Sequence, residues 1–420
     1  MALPAPVATN ERIETLDVLR GFALLGILAM NIRAMAAPLS AYMNPTSLFD
    51  YSGASRLAYQ FTGVVFDLKM MGLFSMLFGA GALLYAAKPG QGQASVTRLW
   101  FRRMAWLLVF GLVHAYLIWE GDILVPYALC GILVLWWVRD WSPRALIAGS
   151  IALLAVGVAM TVIHGLTWDS MSEASRAEEL EIWMPTPDQV QAQLAAMLGS
   201  YPEVVAHRAP SVFLSQTFFF IAFFFWRCSG MMLLGMALLK LGFLDGRRSA
   251  REYAITALVW VPLGLGLAGA GVSRLEGIGF AMPERTMEDV WNYVGAVFAS
   301  VGYAALLVLA VKVNVLGALG RALAAVGRMA FSNYLAHSVI TSVLFLGWGF
   351  GLAGRFDYAE QLGVVLAIWL FQLLVSPIWL ARYRFGPAEW LWRSLTYGRR
   401  QPMRRVPRQG QPSLAEGSAA

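Results

Sequence analysis

Charge is scarce in this chain. Only 14% of its 420 residues are Asp, Glu, Lys or Arg and 58% are hydrophobic, where soluble domains carry about 25% charged residues. With a mean hydropathy of +0.60, an ordinary soluble protein is excluded. Cysteine is nearly absent. The two present, Cys130 and Cys228, each fall inside an apolar run, so neither a disulfide framework nor a cysteine-based metal site is indicated, and no metal site is expected. The first apolar run lacks a small-residue cleavage pattern and retains charges, which reads as an uncleaved signal anchor. There is no visible internal repeat, and no matching pair of Gly/Pro-broken helices that would mark an inverted transporter repeat.

What is present is a series of apolar segments long enough to cross a bilayer. We place ten, at 16–36, 57–87, 104–119, 123–138, 145–164, 212–239, 252–272, 287–311, 329–350 and 361–381. The expected fold class is therefore all-α, a polytopic integral membrane protein forming one domain over 1–400. The second segment is long enough to be broken, and the third and fourth form a tight helical hairpin. The net charge of +7 does not point to nucleic acid, because most of the 32 Lys and Arg residues fall on alternate loops. By the positive-inside rule those loops and both termini are cytoplasmic, in the cell (inner) membrane. An acidic segment at about 165–210 reads as an external, partly helical cap. Pro387 and the tryptophans of 386–396 suggest an interfacial helix, and 401–420 reads as a disordered basic tail on the bilayer surface.

Ionisable residues within such segments are costly and mark packed or wet interiors. Asp17, Arg20 and Asn31 lie on one stripe of the first segment and point inward. At the hairpin, His114 stands one or two turns before Glu120 and Asp122, with Gly121 between the acids. A carboxylate folded back onto the ring would make a general base; the alternative is an interfacial histidine beside two solvated turn acids. Asn31 and Arg33 share the outer level with Asp67 and Lys69, and Arg227 is central in the sixth segment. These residues either hold a substrate anion or oxyanion, or pair internally to fix helix packing. Asp17, Arg20, Asn333 and His337 read as a structural polar cluster clamping the first and ninth segments. The glycines around Ser75, Gly79, Gly230 and Gly235 follow a helical pattern with no preceding strand, so they mark close packing rather than a phosphate loop.

The motifs Leu16 to Gly21, Leu73 to Gly81, His114 to Asp122, Gly327 to Leu335 and Gly386 to Arg393, in that order, resemble the YeiB-like family of bacterial membrane proteins along nearly the whole chain. A more distant resemblance, over the first two segments, is to heparan-alpha-glucosaminide N-acetyltransferases and related membrane acyltransferases. It rests on Asp17, Arg20, Gly21, Asn31 and Asp67. That resemblance implies acyl transfer from an acyl-CoA-like donor to a glycan or lipid acceptor, with Asn31 taking part in catalysis. In those enzymes the partner is a histidine on the following external loop. The loop here, 34–55, has none, so His114 would have to serve, oriented by Asp122 or Glu120. The competing expectations are a transporter or flippase using the intramembrane charges as a pathway, and a non-catalytic lipid-binding or assembly protein.

Overall fold

The computed structural model describes residues 13–87 and 93–405, and these are mostly helical, with no named strand among them. In chain order the α-helices are α1 Glu14–Ala36, α2 Leu39–Met43, α3 Gly53–Val65, α4 Lys69–Ala86, α5 Gln93–Val113, α6 Leu124–Cys130, α7 Trp136–Val138, α8 Pro143–Thr167 and α9 Glu173–Trp183. There follow α10 Pro187–Met197, α11 Tyr201–Gln216, α12 Phe225–Lys240, α13 Ala250–Gly277, α14 Glu284–Lys312, α15 Gly317–Arg328, α16 Ala330–Phe345, α17 Tyr358–Arg382 and α18 Pro387–Tyr397. Three π-helical turns, at His114–Ile118, Gly131–Leu135 and Phe220–Phe224, interrupt them.

Among the described residues, eight helical stretches are long and apolar enough to cross a membrane. The protein is an all-α polytopic membrane protein. The expected segments at 123–138 and 329–350 correspond to shorter helices, Leu124–Val138 and α16. The expected break in the second segment is real. Helix α3 ends at Val65 and α4 starts at Lys69, with Leu68 between them at φ 57. A bulky residue in that region is strained. The break turns Asp67 and Lys69 into the protein.

Helix starts are written locally. Ser142 accepts from Ala145 N–H with Pro143 at the first position of α8, and Asp357 accepts from Ala359 and Glu360 at the start of α17. The most consequential start is that of α16. Its first N–H groups, of Phe331 and Ser332, donate to Glu389 Oε1 at 2.7 and 3.2 Å, from α18. The Gly327 to Leu335 and Gly386 to Arg393 motifs therefore meet, one capping the other's helix.

Burial separates centre from rim. In α1, 67% of the most apolar window is buried inside the protein, against 17% in α8 and 22% in α13, which present residues such as Leu166 and Leu258 outward. A rim of exposed Leu, Ile, Val and Phe fits a lipid solvent. Helix α1 packs on α4, α14, α15, α16 and α17. Its joint with α15 is backbone on backbone: a Cβ on Gly327 would stand 1.9 Å from Asp17 O, and one on Gly21 2.0 Å from Leu323 O. Gly79 and Gly235 lie as close to the backbone of Met232 and Met76, in keeping with their reading as packing positions. The basic tail expected from 401 begins as paired structure, since Arg384 N–H donates to Met403 O and Arg405 N–H to Arg382 O. Residues 406–420 lie outside the described residues, as do Arg12 and Lys88, two of the loop cations counted above.

Candidate functional site

The hairpin after α5 brings three side chains into one hydrogen-bonded line. Helix α5 passes into the π-helical turn His114–Ile118, the chain extends through Trp119, and it re-enters helix at Leu124. This folds Asp122 back onto the ring: His114 Nδ1 lies 2.8 Å from Asp122 Oδ1. The other nitrogen, Nε2, lies 2.8 Å from Ser338 Oγ on α16. A carboxylate accepts, so the tautomer that fits has the proton on Nδ1, which leaves Nε2 to accept from the serine hydroxyl. His114 and Ser338 are almost completely inaccessible, and the Asp122 side chain is 2% exposed. Asp122 is fixed in turn, its Oδ2 accepting from Val125 N–H at 2.7 Å at the start of α6. A Cβ on Gly111 would lie 2.7 Å from Val125 N, so the glycine is what lets α5 approach that turn.

The surroundings hold this geometry. Tyr334 lies against the imidazole with ring centroids 5.0 Å apart, and Trp119 stands edge-on at 6.3 Å. The indole Nε1 of Trp119 is buried with no hydrogen-bond partner among the described residues. The carbonyls left open at the end of the π turn are met from outside the hairpin. Tyr201 Oη donates to Leu117 O at 2.9 Å, and Arg208 Nη1 and Ser342 Oγ donate to Ile118 O at 2.5 and 3.2 Å. Glu120 does not join the line. Burial raises its carboxyl above the usual range, with Arg208 acting in the opposite direction. Of the two acids offered by the sequence, Asp122 is the one that touches His114.

A second polar group gathers where α3, α4, α12 and α14 meet. Lys69, fully buried, donates from Nζ to Gly63 O at 3.0 Å and to Asn292 Oδ1 at 2.5 Å. Asn292 Nδ2 donates to Asp67 Oδ2 at 2.7 Å, so an amide stands between the lysine and the carboxylate. Arg227, also fully buried, donates from Nη1 to Tyr293 O at 2.7 Å and lies 4.5 Å over the Tyr293 ring. Arg227 makes no ion pair with Asp67, although Asp67 is within electrostatic reach of both cations. Arg227 Nε and Nη2 and Tyr293 Oη have no hydrogen-bond partner among the described residues. Arg33 is separate again: it donates to Tyr59 O and Thr62 Oγ1 and lies 3.8 Å over the Tyr59 ring. An internal salt bridge among these residues is thus replaced by carbonyl, amide and aromatic contacts. Asn31 is half-buried on α1 and enters none of the hydrogen bonds that hold either group.

The clamp expected between the first and ninth segments takes a different form. Asp17 and Arg20 pair with each other at 2.9 Å within α1. Asn333 and His337 instead tie α16 to α17, Asn333 Nδ2 donating to Ser376 Oγ at 3.1 Å and His337 Nε2 lying 2.8 Å from Gln372 Oε1. The physical reason is reach: Arg20 lies one turn from Asp17 on the same helix, and Ser376 and Gln372 of α17 stand within hydrogen-bond distance of Asn333 and His337, so each pair is satisfied without the other.

Sequence reasoning missed Ser338, Trp119, Asn292 and Tyr293. Ser338 is a hydroxyl within an apolar helix, where it is ordinarily a packing residue; its only signal was its place beside His337 in a segment crowded with Ser and Thr.

Fold and site together define a class: a polytopic helical membrane protein with an Asp–His–Ser line buried between a hairpin and a short helix. Residues 238–399 match the family described as "Protein of unknown function (DUF418)". The chain is 34% identical over 389 residues to "Uncharacterized protein YeiB" of Escherichia coli (strain K12), covering 92% of this chain and 96% of that one. It is 31% identical over 417 residues to "Uncharacterized protein YxaH" of Bacillus subtilis (strain 168), covering 95% and 97%. The chain belongs to this YeiB-like family. Ser338 and Glu389 lie within the matched region, His114 and Asp122 outside it.

Proposed function

We propose that the protein is a membrane acyltransferase, moving an acyl group from a cytoplasmic acyl-CoA-like donor to a glycan or lipid acceptor on the outer side of the bacterial inner membrane, with both termini cytoplasmic. One observation carries the reading: a carboxylate on Nδ1 of a buried imidazole whose Nε2 faces a hydroxyl. That arrangement makes His114 a general base for an alcohol and lets it return the proton to a leaving group. Asp122 sets the tautomer and stabilises the imidazolium that forms. The cap helices support it, because Tyr201 and Arg208 fix the turn that carries the base.

The test is release of CoA thiol from acetyl-CoA by purified protein in lipid. His114→Ala should lower it by about 100-fold or more, the usual contribution of a general base, in a protein that still melts cooperatively. Retention of more than half the activity would remove His114 from the mechanism.

The second reading, a transporter or flippase, draws on the spare buried donors of Arg227, which suit an anionic cargo. Counterflow in proteoliposomes with no covalent change would favour it.

A further inference from the structure

We propose that Ser338 is the nucleophile of a two-step transfer, holding the acyl group as an ester on its own Oγ before the acceptor takes it. This rests on the acyl-transfer reading above but does not follow from it. His114 alone would suffice for direct transfer, in which donor and acceptor meet with no bond to the protein.

Three observations point to the covalent route. First, the hydroxyl at Nε2 belongs to the protein. At 2.8 Å from the ring, Ser338 occupies the place an acceptor alcohol would need, and an adjacent base is what raises a serine to a nucleophile. Second, Oγ is reserved for this contact. The nearby hydroxyls of Thr341 and Ser342 donate to the carbonyls of His337 and Ile118, whereas Ser338 Oγ meets the imidazole. Third, the indole of Trp119 stands edge-on to the imidazole, its Nε1 without a partner among the described residues, and an oxyanion forming next to the ring requires a donor. The line itself is closed, His114 being 1% and Ser338 0% exposed, and the apolar surface begins one residue away along each helix. Val113 and Val339, the chain neighbours of His114 and Ser338, are exposed among the apolar residues of the rim. The donor this favours is an activated ester or thioester whose acyl chain is apolar.

Ser338 Oγ attacks the acyl carbonyl carbon while its proton passes to His114 Nε2. The bond from carbon to the leaving sulfur or oxygen then breaks, and the leaving group takes that proton, giving acyl-Ser338. An acceptor hydroxyl next gives its proton to His114 and attacks the ester. Ser338 leaves with the electron pair of its C–O bond and recovers the proton, and no oxidant or reductant is involved.

The test uses the full-length protein in detergent and a long-chain alkyl fluorophosphonate, which modifies serines activated by a neighbouring base. We expect modification at Ser338, located by peptide mass analysis, and its loss in His114→Ala. Ser338→Ala should lower acyl transfer by on the order of 10⁴-fold. That variant leaves Nε2 unpaired and can unfold, so the decisive readout is labelling of the unmodified, folded chain. A folded protein in which Ser338 stays unmodified overturns the proposal. If acyl transfer that depends on His114 persists without such labelling, direct transfer is the route and the reading above survives. If Ser338 is labelled but acetyl-CoA is never consumed, the nucleophile stands and that donor falls.

Discussion

The two buried polar groups of this protein are built on opposite plans. In the Asp122–His114–Ser338 line each side chain answers the next, the charge is a single carboxylate, and the geometry is fixed by an irregular hairpin set against α16. In the Lys69–Asn292–Asp67 group with Arg227, an amide joins the lysine to the one carboxylate, Arg227 rests on Tyr293, and donors are left over. A closed chain of hydrogen bonds fixes one arrangement and suits proton transfer. An open, cation-rich group has no such economy, because each unpaired buried donor costs about 1–3 kcal/mol. The first group is shaped by geometry and the second by charge.

One substitution made in both places should therefore give opposite readouts. Asp122→Asn keeps the shape but not the charge, and an amide that donates to Nδ1 would force the wrong tautomer. Transfer should fall by about 10⁴-fold with little change in melting temperature. A drop in melting without a drop in turnover would make the line a structural tie.

Asp67→Asn should do the reverse. It preserves a side-chain acceptor for Asn292 but leaves Lys69 and Arg227 without a counter-charge. The expected loss is about 3 kcal/mol, at the low end for an uncompensated buried charge because Asp67 is itself half-buried. Adding Arg227→Met to that variant should recover part of the loss. Thermal melting of the single and double variants in one detergent checks both, and an Asp67→Asn protein as stable as the parent would show that the cations already lie in a wet environment.

How far the sequence foretold these groups follows from the range of each contact. His114 and Asp122 were readable together because one hairpin carries both, with a glycine between them. Ser338 was not, since its partner lies 224 residues away and a serine leaves no trace in an apolar pattern. The charges at 67, 69 and 227 were visible as anomalies, but their partners were uncharged: a backbone carbonyl, an amide and a tyrosine ring. Long apolar runs gave the helical segments, and the excess length at 57–87 gave the break. The π turns could not be foreseen, because they depend on tertiary contacts to the carbonyls they leave open. The capping of α16 by Glu389 was hidden for the same reason.

The smallest expected effect belongs to Asp17 and Arg20, the most conspicuous charges of the first helix. Their side chains are 14% and 29% exposed, so the ion pair is partly screened, and its coupling should be only about 0.5–1 kcal/mol in a double-mutant cycle. The two single changes should not be equal. Asp17 lies in the first turn of α1, where a negative charge is favoured by the helix dipole as well as by Arg20. Arg20 lies within electrostatic reach of Arg103, another cation, so Arg20→Ala removes a repulsion along with the pair. Asp17→Asn should accordingly lower stability by about 1 kcal/mol and Arg20→Ala by about half as much. Equal losses above about 2 kcal/mol would mean that the pair braces the core, and that α1 is held to its neighbours by charge. The contacts of Gly21 and Gly327 argue against that, since they bring the backbones of α1 and α15 together with no side chain between them.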